Sequence, residues 1–93
     1  MEDIRAVVRN HRNDVQTCYE RGMTTPPYPR GTVMIRLSID PKGRVPLSCL
    51  VESDLKDPRI DRCILEAALQ WQFPKPDEGG WVVVNYPFVL APG

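Results

Sequence analysis

The sequence predicts an α+β fold with the element order αββαβ, in which two helices pack on one face of a three-stranded antiparallel sheet. Two segments carry apolar side chains at helical spacing, and three others have the alternation and the bounding turns that are typical of strands. The positions of the prolines predict the strand order 2-1-3, because proline is largely confined to edge strands and bulges.

The first element is an amphipathic helix, predicted over residues 2–21. Its apolar stripe covers a face about 120° wide. The stripe comprises Ile4, Val7, Val8, His11, Val15, Cys18 and Tyr19. Gly22 is well suited to follow the end of the helix. The proline-rich run 24–30 cannot continue the helix and links it to the sheet.

The next two elements are predicted to form a β-hairpin. Apolar residues occupy alternate positions in the first strand: Val33, Ile35, Leu37 and Ile39. The sequence Asp-Pro-Lys-Gly at 40–43 is a strong turn signal with Gly43 in the left-handed region, and the second strand is predicted over 44–53. Strict alternation would bury Cys49 in that strand, whereas a bulge at Pro46 would turn it outward.

The second helix is predicted to begin at Asp57 as N-cap with Pro58 in its first turn. Its core-facing stripe comprises Ile60, Cys63, Ile64, Ala67, Ala68 and Trp71. Pro74 and Pro76 stop this helix. The last strand is predicted over 81–90, and its Pro87 makes it an edge strand, as Pro46 does for the second strand.

Composition excludes several classes of function. The 93 residues fit one domain, and twelve basic and twelve acidic residues are interspersed, so no basic patch predicts nucleic-acid binding. The apolar runs are too short for membrane insertion. No signal peptide follows Met1. We therefore expect either a cytosolic protein or a domain excised from a longer secreted or anchored protein.

No pattern in the chain predicts catalysis, a cofactor or a metal site. The sequence has no nucleophile elbow, no phosphate-binding loop and no Cys-x-x-Cys pair. His11 is the only histidine, and a metal site needs several ligands. A calcium site built from Asp54, Asp57 and Asp61 is the weaker alternative to a structural role for these residues in turns and caps. We therefore predict that the domain is not an enzyme.

Three segments together resemble one known family. Residues 31–45 read GTVMIRLSIDPKGRV, residues 67–74 read AALQWQFP and residues 82–88 read VVVNYPF. Their motifs and order resemble those of TonB C-terminal domains, and Tyr28-Pro29 is similar to the Tyr-Pro that precedes the first strand in that family. The chain departs from the family at 53–55, which reads Ser-Asp-Leu where Ser-Ser-Gly is common.

The cysteines resemble those of a subgroup, the AgmX/PglI-type C-terminal domains of myxobacterial gliding-motility and related envelope proteins. Cys18 and Cys63 lie on the apolar stripes of the two helices. The residues alone leave two alternatives, a disulfide between the helices or two buried free thiols. The resemblance implies the disulfide.

The resemblance also implies a function. It implies a periplasmic domain, spanning residues 1–93, of an inner-membrane-anchored protein that binds an outer-membrane or other periplasmic protein of the same envelope machinery. The partner would add a strand to the last strand of the sheet. The expected binding residues are Val82, Val83, Val84, Asn85 and Tyr86. The alternative is a structural module that assembles or dimerises through this edge.

Overall fold

The computed structural model describes residues 4–23 and 26–92, apart from the side chain of Glu78. These residues form three helices and three strands in the order α1-α2-β1-β2-α3-β3, with a short 3₁₀ helix at Asp77–Gly79 before the last strand. The helices are α1 (Ile4–Asn10), α2 (Arg12–Gly22) and α3 (Pro58–Ala68). The strands are β1 (Gly31–Ile39), β2 (Leu47–Ser53) and β3 (Val82–Leu90).

The first predicted helix is divided in two at His11. The His11 N–H donates to the Val8 carbonyl and the Asp14 N–H donates to the His11 carbonyl, both at 3.0 Å, so one tight turn separates α1 from α2. The predicted apolar stripe still faces the core on both sides of this turn, where Val8 and Val15 are fully buried. The predicted start of the helix at residue 2 lies outside the described residues.

The sheet is antiparallel throughout and has the order β2-β1-β3, as the prolines predicted. β1 is the central strand, and its four alternating apolar side chains are fully buried under the helices. Pro87 lies in the edge strand β3, and Pro46 immediately precedes the edge strand β2. Proline placement therefore identified the central strand correctly.

The second strand was predicted three residues too long, and its inward face was predicted incorrectly. β2 begins at Leu47, while Arg44 forms an isolated bridge with Gln72. The inward face carries Ser48, Leu50 and Ser53, which pair with buried residues of β1. The Ser48 hydroxyl donates to the Leu65 carbonyl at 2.6 Å, and the Ser53 hydroxyl donates to Asp61 at 2.8 Å.

Cys49 is consequently exposed rather than buried. It pairs with Arg36 on the face of the sheet that the helices do not cover. The irregularity in this pair of strands lies opposite Met34 and Ile35, where Val51 is the extra residue, and not at Pro46.

Two contacts between α2 and α3 show that these helices run antiparallel across the sheet. A disulfide joins Cys18 to Cys63, whose Cα atoms are 5.6 Å apart. One turn further along α2, a Cβ on Gly22 would overlap the Ile60 side chain. The absence of a side chain at Gly22 therefore allows the helices to approach closely.

The second helix begins as predicted and ends earlier. Asp57 caps α3 by accepting hydrogen bonds from the N–H groups of Arg59 and Ile60. The helix ends at Ala68, and Trp71 lies beyond it in a turn, where it is almost completely buried. Among residues 4–23 and 26–92, no helix has the length and apolar character needed to cross a membrane.

The Asp40 carboxylate organises the turn between β1 and β2. Its Oδ1 accepts from the N–H groups of Lys42 and Arg44, both at 2.9 Å, and the Arg44 Nε lies 3.4 Å from Oδ2. Desolvation raises the pKa of Asp40, but the backbone N–H groups of Arg44 and Lys42 and the charge of Arg44 together hold it below its ordinary value.

We expect the Asp40 carboxylate to stabilise the fold at neutral pH and to lose this effect in acid. Its pKa is lower in the folded chain, so the contribution is complete above the unfolded pKa of about 3.9 and disappears as the pH falls through the folded pKa. Asp40→Asn should therefore be less stable than the native chain at neutral pH, and the difference should narrow below about pH 4. Urea unfolding across this range measures it, and a difference independent of pH would contradict the assignment.

Candidate partner-binding site

The outer edge of β3 is unpaired in the part of the chain that the structure describes. β3 bonds to β1 on one side only, because it is the last strand in the order β2-β1-β3. An unpaired edge presents main-chain N–H and C=O groups to which another strand can bond. This edge coincides with the segment predicted to bind a partner.

The main-chain groups of Thr32 fix which residues of β3 point towards this edge. Its N–H donates to the Asp54 carboxylate at 3.2 Å and its carbonyl accepts from the Asp54 N–H at 3.0 Å, so both groups point towards β2. The main-chain groups of successive residues in a strand point in opposite directions. Those of Val33, Ile35, Leu37 and Ile39 in β1 therefore point towards β3. Their partners in β3 are Phe88, Tyr86, Val84 and Val82.

The residues of β3 whose main-chain groups face the free edge are therefore Val83, Asn85, Pro87 and Val89. Pro87 has no N–H to offer, so the edge has donors at Val83 and Asn85, then a gap, then a donor at Val89. A proline at this position removes no bond to β1, which explains why β3 tolerates it. Of the five predicted binding residues, Val83 and Asn85 direct their main-chain groups to the free edge, whereas those of Val82, Val84 and Tyr86 face β1.

The side chains of β3 divide between two environments. Those of Val82, Val84 and Tyr86 are half-buried and pack against the core. Val83 is 61% exposed and Val89 is 67% exposed. We use the term open face for the side of the sheet without helices. It carries Thr32, Met34, Arg36 and Ser38 of β1, Leu47, Cys49 and Glu52 of β2, and Val83, Asn85, Pro87 and Val89 of β3.

Aromatic packing holds β3 in place from beneath. The Phe88 ring is buried with its centroid 6.3 Å from that of Trp71 and 5.0 Å from that of Tyr86. The Trp71 indole stacks on His11 at 5.0 Å and its Nε1 donates to Asp14 at 3.0 Å. A rigidly held strand loses little conformational entropy when another strand binds to it, which favours binding. This packing also gives His11 a structural role.

The three aspartates of the alternative calcium site each bond within the protein. Asp54 accepts from Thr32, Asp57 caps α3 and Asp61 accepts from Ser53. Within residues 4–23 and 26–92, no group of three metal-ligating side chains is close enough to hold an ion. These carboxylates are thus occupied by turns and caps.

No family model matches the sequence, and no curated protein matches it. Among solved structures, the chain is similar to the solution structure of the C-terminal domain of Helicobacter pylori TonB, with a TM-score of 0.56 and 22% sequence identity. The similarity covers 90% of this chain and 82% of that one. The chain has the fold of a TonB C-terminal domain. At this level of identity, the comparison establishes the TonB-like fold and leaves function to be argued from the site.

One contact at the edge was not foreseen from the sequence. The Arg36 Nε donates to the Asn85 Oδ1 at 2.9 Å across the open face. Both are polar residues at exposed positions of neighbouring strands, where such residues are ordinary, and only the register of β1 with β3 brings them together. The sequence alone therefore gives no indication of this contact, which depends on the strand order and the register.

Proposed function

We propose that this domain is a non-enzymatic module that binds an extended segment of a partner protein by strand addition to the free edge of β3. The observation that carries the proposal is the edge itself, where Val83 and Asn85 direct main-chain groups away from β1 and no described residue bonds to them. In strand addition, main-chain hydrogen bonds supply affinity and the side chains on alternate faces supply specificity.

We further propose that the domain acts in the periplasm, on an inner-membrane-anchored protein of the AgmX/PglI type. The disulfide between Cys18 and Cys63 supports this location, because such bonds persist mainly in oxidising compartments. The TonB-like fold and the cysteine motifs support an envelope complex for energy transduction, gliding motility or transport. The partner would then be an outer-membrane or other periplasmic protein of the same complex.

We expect Val83→Pro to weaken binding of a partner segment about tenfold, because it removes one main-chain hydrogen bond worth about 1–1.5 kcal/mol. The fold should survive, because the Val83 N–H faces the free edge. Val83→Thr is the matched control, since it changes the side chain and keeps the N–H. Titration by NMR measures both variants, and equal affinities would exclude strand addition at this position.

NMR titration of the native domain tests the site as a whole. Candidate partner segments should shift the resonances of β3, most strongly between Val83 and Asn85. Shifts confined to α1 and α2, with β3 unaffected, would count against strand addition.

The exposed valines of β3 favour a second candidate, in which the edge assembles copies of this chain. Val83 and Val89 would then pack in a continuous sheet across two molecules. Light scattering over a concentration series tests this: a stable dimer that Val83→Lys abolishes supports assembly. Val83 is better suited to the test than Val84, whose half-buried side chain packs against the core.

A further inference from the structure

A cleft between α2 and α3 is open to solvent and contains the disulfide. Cys63 lines three adjoining hollows of this cleft, which have volumes of about 490, 250 and 220 Å³. The smallest lies where the end of α2 meets the start of α3, and we call it the arginine hollow. Its lining residues are Cys18, Arg21, Gly22, Arg59, Ile60 and Cys63. None of them belongs to the sheet, so a ligand here would not compete for the free edge of β3.

Two arginines supply the charge of the arginine hollow, one from each helix. Arg21 belongs to none of the three ion pairs in the part of the chain that the structure describes. The Nε of Arg59 lies 3.7 Å from the Asp57 carboxylate, which is too far for a hydrogen bond, and the side chain is 80% exposed. Both guanidinium groups therefore keep N–H donors for a ligand.

The carboxylates of the cleft lie away from the arginine hollow. Glu66 lines the two larger hollows and Asp14 lines the largest, whereas neither lines the arginine hollow. Asp14 is also engaged, because it accepts a hydrogen bond from the Trp71 Nε1 at 3.0 Å. Arg62 lines the hollow of about 250 Å³ beside Arg59 and adds a further positive charge. This end of the cleft is therefore suited to an anion.

The position of Arg59 in α3 is not explained by helix stability. The first turn of a helix favours acidic side chains, since the N-terminal end of the helix dipole is positive. Arg59 is the second residue of α3, where its charge opposes the dipole. Residues that local stability disfavours are typical of functional sites. Asp57 already accepts from the N–H groups of Arg59 and Ile60, so a ligand would bind the arginine side chains and not the end of the helix.

The two arginines are held near each other by the contacts between their helices. Arg21 lies three residues after the cysteine of α2, and Arg59 lies four residues before the cysteine of α3. Each is therefore about one helical turn from the disulfide. The next residue of each helix, Gly22 or Ile60, makes the close approach between α2 and α3. A backbone fixed in this way reduces the entropy that is lost when a ligand binds.

From this arrangement we propose that the arginine hollow binds a terminal phosphate group. A guanidinium donates two parallel hydrogen bonds to the oxygens of a phosphate or a carboxylate. A terminal phosphate has three acceptor oxygens and up to two negative charges, so it can accept from Arg21 and Arg59 at once. A carboxylate has two oxygens and one charge, which a single arginine satisfies. Two sources share the phosphate chemistry, inorganic phosphate and a phosphomonoester lipid headgroup, and the test distinguishes them.

Titration with inorganic phosphate followed by NMR tests the proposal, with sodium chloride at equal ionic strength as the reference. We expect saturable shifts of the amide resonances of Arg21, Gly22, Arg59 and Cys63 with phosphate and not with chloride. Arg21→Gln and Arg59→Gln should each weaken binding about three- to fivefold, roughly the range of an exposed ion pair, and the double variant should not saturate. Arg36→Gln is the matched control, because Arg36 is an exposed arginine on the open face, on the opposite side of the sheet from α2 and α3.

Sedimentation with vesicles identifies the source of the phosphate. Vesicles of phosphatidylcholine that contain phosphatidic acid should retain the native domain and release the double variant if the ligand is a lipid headgroup. Phosphate binding without vesicle binding assigns the site to free phosphate, and either result supports the proposal. Phosphate shifts that do not saturate, or equal phosphate affinities of the native domain and the two glutamine variants, would overturn it. A peptide containing Glu that shifts these resonances where phosphate does not would also overturn it, because the cleft would then take a carboxylate.

Discussion

Gly43→Ala should destabilise the domain by about 3 kcal/mol or more. Gly43 has φ +84°, and a Cβ there would overlap the Phe73 carbonyl oxygen. The clash is with main chain that cannot move freely, because the Phe73 N–H donates to the Gly43 carbonyl at 2.8 Å and the Phe73 ring is buried. Urea unfolding monitored by tryptophan fluorescence measures the loss.

Gly79→Ala separates the two causes of this effect. Gly79 also has a positive φ, +66°, but apart from its chain neighbours no atom of the described residues lies within 4 Å of the position that a Cβ would occupy. Its substitution should therefore cost only the left-handed conformation, about 1 kcal/mol. Equal losses for the two variants would mean that the close approach between the β1–β2 turn and Phe73 contributes nothing.

Replacing both disulfide cysteines, as Cys18→Ala with Cys63→Ala, should cost about 4 kcal/mol. The bond links residues 45 positions apart, so 44 residues lie in the loop it closes, and its main effect is to restrict the unfolded chain. Since small domains are stable by only about 5–15 kcal/mol, the double variant should be close to unfolding at physiological temperature. Thermal unfolding followed by circular dichroism measures this.

Cys49→Ala is the control for the loss of a cysteine as such. Cys49 is exposed and free, so its replacement should change stability by less than about 0.5 kcal/mol. Reduction of the disulfide should lower the stability of the native domain to that of the double variant. The same treatment should not change the stability of the double variant. A loss below about 1 kcal/mol in the double variant would contradict this prediction. It would show that the packing of α2 on α3 stabilises the fold with little help from the disulfide.

The sequence predicted the fold well where one residue type has one structural meaning. Proline lacks an N–H, so Pro46 and Pro87 marked the outer strands and left β1 as the centre. Asp57 before Pro58 marked the start of α3, and Gly43 marked the turn. Each of these rests on local chemistry that tertiary packing does not change.

Predictions failed where tertiary contacts decide the outcome. Two of the inward residues of β2 are serines that bond to a carbonyl and a carboxylate of α3, so the alternation of apolar residues indicated the wrong face. The helix break at His11 lies where its ring stacks on Trp71, which is distant in the sequence. The segment that forms the free edge was predicted, but the register of β1 with β3 was needed to show which of its residues direct main-chain groups to that edge.

The position of the disulfide has a mechanical consequence. The covalent ring between Cys18 and Cys63 contains β1 and β2, whereas β3 lies outside it. When the domain is stretched between its N-terminal helix and β3, tension along the chain passes directly from one sulfur to the other. The 44 enclosed residues then cannot lengthen, which shortens the extensible chain by about 150 Å. A pull on β3 would therefore extend only the part of the chain outside this ring, and single-molecule stretching with and without reductant would show the difference in length.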